Sequence, residues 1–191
     1  MRWGRKRLKK MKKSKKLLGK ATKNVPKKVL KEMILEKIST SYKRPTFNDV
    51  LAEIVLAVSK RSVCLFYSIG TVIFRDKQVL SLGYNGPSRG DVHCHKVGCS
   101  RIVGGKLKKG AGMCRGSHAE LNAIGNAANN GINISGASMI ISFSPCKSCA
   151  KQIVNQNIKE IYYLSEYNLD KDVEKYLTRL GVKLIHYKIK K

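Results

Sequence analysis

The chain has 191 residues and a formal net charge of +27. This length accommodates one domain with an extension, and the sequence has no run of about 18 apolar residues that could form a membrane-spanning helix. We expect a cytoplasmic protein, because only Leu17 and Leu18 follow the basic start, too few for the apolar region of a signal peptide. In that compartment the six cysteines are more often metal ligands than disulfides.

The positive charge is concentrated at the N-terminus. Residues 1–45 carry 18 lysines and arginines against only Glu32 and Glu36, a net charge of +16, and the segment 2–28 has no acidic residue. Such a self-repelling block is predicted to be largely disordered, with a short helix over 29–38 where apolar residues recur at helical spacing. The basic arm could bind nucleic acid or an anionic surface, direct the protein to the nucleus, or be only a solvated tail.

Residues 46–191 are predicted to form the folded domain. Thr46 and Asp49 have the spacing of a capping box, which opens a helix that ends near Ser62. The pattern then predicts, in chain order, strands over 69–74 and 78–84, a structureless loop over 86–116, a helix over 119–130, a strand over 138–143, a helix over 146–156, a strand over 160–164, a helix over 171–180 and a strand over 182–187.

The order of these elements predicts an α/β fold. The first two strands form a hairpin and must be antiparallel, whereas strands joined by helical crossovers become parallel neighbours. We therefore predict a three-layer αβα sandwich around a five-stranded mixed sheet.

Two fragments contain side chains that zinc prefers as ligands. His118-x-Glu120 stands at the start of one predicted helix, and Cys146-x-x-Cys149 stands at the start of the next. Either fragment alone is weak, since a Cys-x-x-Cys pair also occurs in redox and structural zinc sites. Together, one histidine and two cysteines leave the fourth tetrahedral position of Zn²⁺ open, as in catalytic sites, and Glu120 remains for proton transfer. This combination is typical of zinc-dependent nucleobase deaminases.

From about residue 46 to residue 187 the sequence resembles the deoxycytidylate (dCMP) deaminases of the cytidine deaminase superfamily. The resemblance is carried by the segment after the second strand and by both metal fragments, Gly83-Tyr84-Asn85-Gly86, His118-Ala119-Glu120-Leu121-Asn122-Ala123-Ile124 and Ser144-Pro145-Cys146-Lys147-Ser148-Cys149-Ala150. The tRNA adenosine deaminases of the same superfamily usually carry a methionine between the two cysteines. Lys147-Ser148 stands there in this chain and favours the nucleotide branch.

This resemblance implies zinc-dependent hydrolysis of dCMP to dUMP and ammonia, which supplies dUMP for thymidylate synthesis. By resemblance, Zn²⁺ is held by His118, Cys146 and Cys149. Glu120 moves protons from water to the ring nitrogen N3 and to the leaving amine. The substrate-binding residues are then Asn85 at the deoxyribose, Gly86 in the same loop and the backbone N–H of Ala119 at the pyrimidine carbonyl. Apart from the resemblance, we expect the 5′-phosphate at Arg115, Arg89 or backbone donors of the Gly-rich loop, and Tyr163 either against the base or in the core.

Four cysteines remain after the catalytic pair, at positions Cys64, Cys94, Cys99 and Cys114. Members of the resembled family often carry a second, structural zinc in this region, and we predict that these four cysteines bind it, with His93 or His95 as substitutes. A closed site of this kind would stabilise a loop that has little core of its own. For Cys64, a small buried apolar role is the alternative.

The resemblance also implies partners. It implies control by dCTP and dTTP through the loop 83–90, and a homo-oligomer, which in the family is a hexamer. A second hypothesis is a cytidine deaminase that acts on RNA or single-stranded DNA, with residues 1–45 holding the polynucleotide. A binding protein on a decayed deaminase fold is disfavoured, because all four catalytic residues are present.

Overall fold

The computed structural model describes residues 26–41, 43–108, 114–166 and 172–189. The chain divides into two units between Pro45 and Thr46. The first unit contains helix α1 (Lys27–Ser41), which extends beyond the short helix predicted over 29–38 at both ends. The predicted disorder of the basic arm concerns mainly residues 1–25, which lie outside the described residues.

The second unit is built on a five-stranded sheet. Its elements are, in chain order, α2 (Phe47–Ser59), β1 (Gly70–Arg75), β2 (Gln78–Tyr84), β3 (Gly86–Pro87), α3 (Cys94–Val97), β4 (Ile102–Val103), β5 (Lys106–Leu107), β6 (Gly116–Ser117), α4 (Ala119–Asn129), β7 (Ser138–Phe143), α5 (Lys147–Asn155), β8 (Glu160–Ser165), α6 (Val173–Arg179) and β9 (Lys183–His186). The strand order is β2-β1-β7-β8-β9; β2, β1 and β7 are antiparallel, and β7, β8 and β9 are parallel. The predicted mixed sheet is confirmed.

Helices cover both faces of this sheet. Alternate residues of the central strand β7 point to opposite faces. Ile140 packs with Val55 of α2 on one face, whereas Met139 and Ile141 belong to the cluster that contains α4, α5 and α6 on the other. All three strand residues are fully buried. The arrangement is the predicted three-layer αβα sandwich.

Helix α2 begins at the predicted capping box. The Thr46 hydroxyl accepts a hydrogen bond from the Asp49 N–H at 3.2 Å, and the Asp49 carboxylate accepts one from the Thr46 N–H at 2.9 Å. The Tyr187 hydroxyl, just after β9, donates to the same carboxylate at 2.6 Å. The last strand is thereby tied to the start of the first helix of this unit. The helix ends at Ser59, earlier than predicted, where the serine hydroxyl donates to the Leu56 carbonyl and competes with helical bonding.

The stretch 86–116 is not structureless, so this prediction was wrong. Strand β3 pairs with β6, and β4 pairs with β5 around the turn residues Gly104 and Gly105, whose φ angles are 58° and 73°. Strands of two residues have no periodicity that a sequence pattern could reveal. The β3–β6 pair matters for function, because it connects the segment after β2 to the residue that precedes His118.

Two glycines allow helices to lie directly on the sheet. A Cβ at Gly83 in β2 would stand 2.2 Å from the Ala119 carbonyl oxygen and 2.4 Å from the Ala123 nitrogen. A Cβ at Gly70 in β1 would stand 2.3 Å from the Val55 carbonyl oxygen. No other residue type has room at either position without moving backbone.

Strand β2 is an edge of the sheet, and helix α4 covers this edge with side-chain amides. Asn122 donates to the Tyr84 carbonyl at 2.7 Å, and Asn126 donates to the Leu82 carbonyl at 2.8 Å. These bonds attach α4, and with it His118, to the edge strand. Within the described residues, no helix has the length and apolar character needed to cross a membrane.

Candidate metal centre

The three predicted metal ligands stand at the starts of two helices. His118 is the N-cap residue of α4, Cys146 is the N-cap residue of α5, and Cys149 lies in the first turn of α5. The His118 side chain makes no cap hydrogen bond to the backbone of its own helix, which leaves its imidazole for another partner. The partial positive charge of a helix N-terminus favours thiolate over thiol at such positions.

These side chains lie at the spacing that one zinc ion requires. His118 Nδ1 is 3.2 Å from Cys149 Sγ and 3.5 Å from Cys146 Sγ, and all three ligand atoms lie within 4.8 Å of one another. In a tetrahedral site with Zn–N of about 2.1 Å and Zn–S of about 2.3 Å, such ligand atoms are about 3.6 Å apart. Within the part of the chain that the structure describes, no other group of three or more such side chains meets this spacing.

A hydrogen bond joins the side chains of the two cysteines. The Cys149 thiol donates a hydrogen bond that lowers the pKa of Cys146 to about 4, and the same bond raises the pKa of Cys149. A hydrogen bond with Cys146 raises the pKa of His118. A bound metal would replace the proton of this hydrogen bond, because the ligating form of cysteine is the thiolate.

Glu120 stands beside the cluster and is only 4% exposed. Burial raises the pKa of its carboxyl, and the neighbouring His118 opposes that increase. A carboxyl whose pKa is shifted towards neutrality is suited to both accept and donate a proton. The helix start therefore places a buried carboxyl that is suited to proton transfer next to the three candidate metal ligands.

A cavity opens in front of this cluster. Three parts of the chain line it. The first is the metal cluster with the end of β7, namely His118, Glu120, Cys146, Phe143 and Ser144. The second is the segment before β1 with the residues after β2, namely Cys64, Tyr67, Ile69, Asn85 and Gly86, and the third is the stretch between β3 and α4, namely Cys94, Arg101, Cys114, Gly116 and Ser117. The rings of Tyr67 and Phe143 meet edge to face with 6.0 Å between their centroids. The cavity thus combines a flat apolar wall with a few polar groups, as sites for small molecules do.

The predicted sugar-binding residues line this cavity. The Asn85 amide donates to the Tyr67 carbonyl at 2.9 Å and accepts from the Ile69 N–H at 2.9 Å. Gly86 pairs with Ser117, the residue before His118. Asn85 therefore fixes the segment that precedes β1 against the segment that follows β2.

The other predicted substrate residues lie elsewhere. Ala119 is fully buried at the start of α4. The exposed Arg115 side chain lies outside the cavity lining, with its Nε 3.8 Å from the Asp91 carboxylate. The Tyr163 ring stacks on His186 with 4.8 Å between centroids and packs against the core, outside the cavity lining.

Sequence reasoning missed Tyr67, Phe143 and Arg101. Arg101 is half-buried in the lining, whereas Arg115 and Arg89, the arginines singled out from the sequence, are not part of it. Phe143 could have been identified, because it is the last residue of the predicted strand over 138–143, and the end of a strand that leads into a metal fragment lies near the site. No motif or periodicity marks Tyr67 or Arg101.

Three of the four remaining cysteines line the same cavity. Burial raises the pKa of Cys94, and nearby Cys64 and Cys114 raise it further. Cys99 also contributes to this increase but does not line the cavity. The Gly116 N–H donates to Cys114 Sγ at 3.4 Å. These thiols are close enough to interact electrostatically, although they do not reach the mutual ligand spacing of the first cluster.

Known proteins share this sequence pattern and fold. The family model for the cytidine and deoxycytidylate deaminase zinc-binding region matches residues 46–165. A deoxycytidylate deaminase of Schizosaccharomyces pombe is 32% identical over 145 residues, which cover 75% of this chain and 45% of that protein. The deoxycytidylate deaminase of Enterobacteria phage T4 is 34% identical over 154 residues, which cover 64% of this chain and 80% of that protein. The chain therefore spans less than half of the fission yeast relative.

The fold is also found in a solved structure. The dCMP deaminase from cyanophage S-TIM5, in complex with dCMP and dUMP, matches with a TM-score of 0.64 at 24% identity. The match covers 76% of this chain and 100% of that chain. At this identity the likeness establishes the shared fold.

Proposed function

The chain belongs to the cytidine and deoxycytidylate deaminase family, as its sequence predicted, and we propose that it hydrolyses dCMP to dUMP and ammonia. The observation that carries this proposal is the cluster of His118, Cys146 and Cys149 with the buried Glu120, facing a cavity. Relatives at 32% and 34% identity that are named deoxycytidylate deaminases support a nucleotide substrate.

Zinc is the metal that this cluster suits. The matched family region is a zinc-binding region, and two thiolates with one imidazole are ligands that zinc prefers. We propose that His118, Cys146 and Cys149 hold the ion. When bound, Zn²⁺ supplies Lewis acidity and lowers the pKa of a water molecule to about 7.

Glu120 is the proposed proton carrier of the reaction. Its carboxylate accepts a proton from the water that attacks C4 of the cytosine ring, and it delivers protons to N3 and to the leaving amine. Burial at 4% exposure keeps bulk water away from this carboxyl. The Ala119 N–H, adjacent in the chain, is proposed to bind the pyrimidine carbonyl.

The wall around Asn85 is proposed to hold the base and the sugar. An amide has two N–H donors and an oxygen with two lone pairs. Asn85 uses one of each on the backbone of Tyr67 and Ile69, and the other donor and lone pair are proposed to bind the deoxyribose. Gly86 lets the backbone approach the same sugar, and Tyr67 with Phe143 forms a flat surface for the base.

We also propose a second zinc ion, held by Cys64, Cys94, Cys99 and Cys114. The electrostatic proximity of Cys94 to the other three thiols supports this set, as does the N–H donated to Cys114 Sγ. The ion would have a structural role, since it would connect the segment before β1 with α3 and with the segment before β6.

Metal analysis of purified variants tests both zinc sites. We expect two zinc ions per chain in the wild-type protein and one each in Cys146→Ser and in Cys114→Ser. Only Cys146→Ser should lose all turnover at an unchanged fold, because it alone belongs to the proposed catalytic set. The second site would be contradicted if the wild-type protein contained one zinc ion per chain and Cys114→Ser contained the same amount.

The basic arm supports a second candidate function, deamination of cytosine in RNA or single-stranded DNA. Residues 1–45 carry a net charge of +16, which is the kind of charge that polynucleotide binding requires. Control by dCTP or dTTP and a homo-oligomeric assembly remain predictions from the family resemblance.

Ammonia release from four substrates distinguishes these functions. The full chain would be assayed with dCMP, dCTP, deoxycytidine and a cytosine-containing oligonucleotide, each with and without dCTP as an added effector. We expect dCMP to have the highest kcat/KM, at every salt concentration. Turnover of the oligonucleotide alone, with a steep loss of affinity as salt rises, would overturn the dCMP proposal in favour of the polynucleotide enzyme.

A further inference from the structure

Arg101 brings a positive charge into the wall of the cavity. It is the one arginine or lysine among the described residues that line the cavity. The same lining contains His118 and Glu120. The charge therefore acts on the same space as the metal cluster and Glu120.

The β4–β5 hairpin fixes this side chain. The Arg101 Nε donates to the Lys108 carbonyl at 2.9 Å, and the Lys108 N–H donates to the Arg101 carbonyl at 2.8 Å. The pair closes the base of the hairpin, whose turn is formed by Gly104 and Gly105. Because Nε is used in this way, the guanidinium keeps four terminal N–H donors for another partner.

No carboxylate of the described residues forms an ion pair with Arg101. Arg115, by comparison, is exposed and has Asp91 at 3.8 Å. A half-buried guanidinium without a carboxylate in a cavity is an anion-binding group, since burying an unpaired charge is costly unless a partner arrives. The charge of Arg101 therefore favours an anionic ligand, whereas the charge of Arg115 is partly balanced by the Asp91 carboxylate.

We propose that Arg101 binds the 5′-phosphate of the substrate and selects nucleoside monophosphates over nucleosides. The inference rests on the proposed function in that it places the pyrimidine at Glu120 and the sugar at Asn85. Two thiolates cancel the 2+ charge of the proposed zinc ion, so the metal centre offers no net positive charge to a phosphate dianion. The dianion therefore needs another cation, and Arg101 is the arginine or lysine among the described lining residues. The planar guanidinium donates two parallel hydrogen bonds to one phosphate, which a lysine ammonium does not reproduce.

Paired kinetic measurements on dCMP and deoxycytidine test this role. For the zinc-loaded full chain, Arg101→Gln should lower kcat/KM for dCMP on the order of 100-fold, because it removes charge-assisted hydrogen bonds to the phosphate. The same variant should change kcat/KM for deoxycytidine by no more than about twofold. Arg101→Lys should fall between the wild-type protein and Arg101→Gln in kcat/KM for dCMP. The control is Arg179→Gln, at an exposed arginine of helix α6 outside the cavity lining, and it should resemble the wild-type protein.

Equilibrium binding gives a readout that does not depend on turnover. Calorimetric titration should show that the wild-type protein binds dUMP on the order of 100-fold more tightly than deoxyuridine, and that Arg101→Gln abolishes most of this difference. Equal losses for the phosphorylated and unphosphorylated ligands would overturn the proposal and leave Arg101 as a hairpin residue only. A preference for dUMP over deoxyuridine that Arg101→Gln leaves unchanged would overturn it as well.

The same two measurements separate this inference from the proposed function. If the wild-type protein does not deaminate dCMP but binds dUMP through Arg101, the function fails and the phosphate site stands. If it deaminates dCMP and Arg101→Gln retains full kcat/KM, the phosphate site fails and the function stands.

Discussion

Glu120→Gln is expected to leave zinc bound and to lower kcat for dCMP by a factor on the order of 1,000, since proton transfer by one positioned side chain contributes about 100- to 10,000-fold. Glutamine has the size and shape of glutamic acid, so the buried space beside His118 stays filled. It neither accepts a proton from water nor delivers one to the leaving amine. Steady-state kinetics and metal analysis of the same preparation measure the two effects separately.

The control for this experiment is Glu53→Gln. Glu53 is exposed on helix α2, and its substitution should change neither zinc content nor kcat. Turnover by Glu120→Gln within about tenfold of the wild-type rate would refute the role of Glu120 as proton carrier. Loss of zinc from this variant would show instead that Glu120 supports the metal ligands.

Gly83→Ala is the substitution with the largest expected effect on stability. The new Cβ would stand 2.2 Å from the Ala119 oxygen and 2.4 Å from the Ala123 nitrogen, and both atoms belong to the backbone of helix α4. Backbone cannot rotate away as a flexible side chain can, so either α4 moves off the sheet or β2 does. We expect the free energy of unfolding to fall by more than about 3 kcal/mol, at the upper end of overpacking effects. Urea denaturation with metal analysis of the folded fraction would measure both the lost stability and the displaced His118.

Gly125→Ala is the matched control, because Gly125 lies in helix α4, the helix that a Cβ at Gly83 would meet. A Cβ at Gly125 meets no atom within 4 Å. Alanine in the middle of a helix is more favourable than glycine by up to about 1 kcal/mol, so this variant should be slightly more stable than the wild-type protein. Equal stability of the two variants would show that the close approach of α4 to β2 is not required.

The parts of the fold that sequence predicted are those with a strong local signal. The capping box of Thr46 and Asp49 located the start of α2, and the apolar run over 138–143 located β7, because burial on both faces gives an unbroken run of apolar residues. Helix α4 ends at Asn129, one residue before the predicted end, and Gly131 follows in the left-handed conformation with a φ of 65°. Each of these signals depends on neighbouring residues alone.

The metal cluster was predictable for a different reason. His118 and Cys146 are ligands whose chemistry restricts the residue types strongly, and both stand at helix starts that the sequence also marks. The place of Arg101 in the cavity wall was not predictable, because it depends on a two-stranded hairpin that no sequence pattern marks. Tyr163 illustrates the same limit, since only the position of His186 across two parallel strands shows what its ring contacts.

The amides of Asn122 and Asn126 have a consequence beyond the attachment of α4. An edge strand with open carbonyl groups is a template on which another chain can add a strand, and this is a common route to aggregation. In β2 the outward carbonyls of Leu82 and Tyr84 already accept hydrogen bonds from these two amides. The helix that carries His118 therefore also shields this edge from strand addition. Val79, Leu82 and Tyr84 of β2 are each about 40% exposed, so open carbonyl groups beside these apolar side chains would favour pairing with another chain.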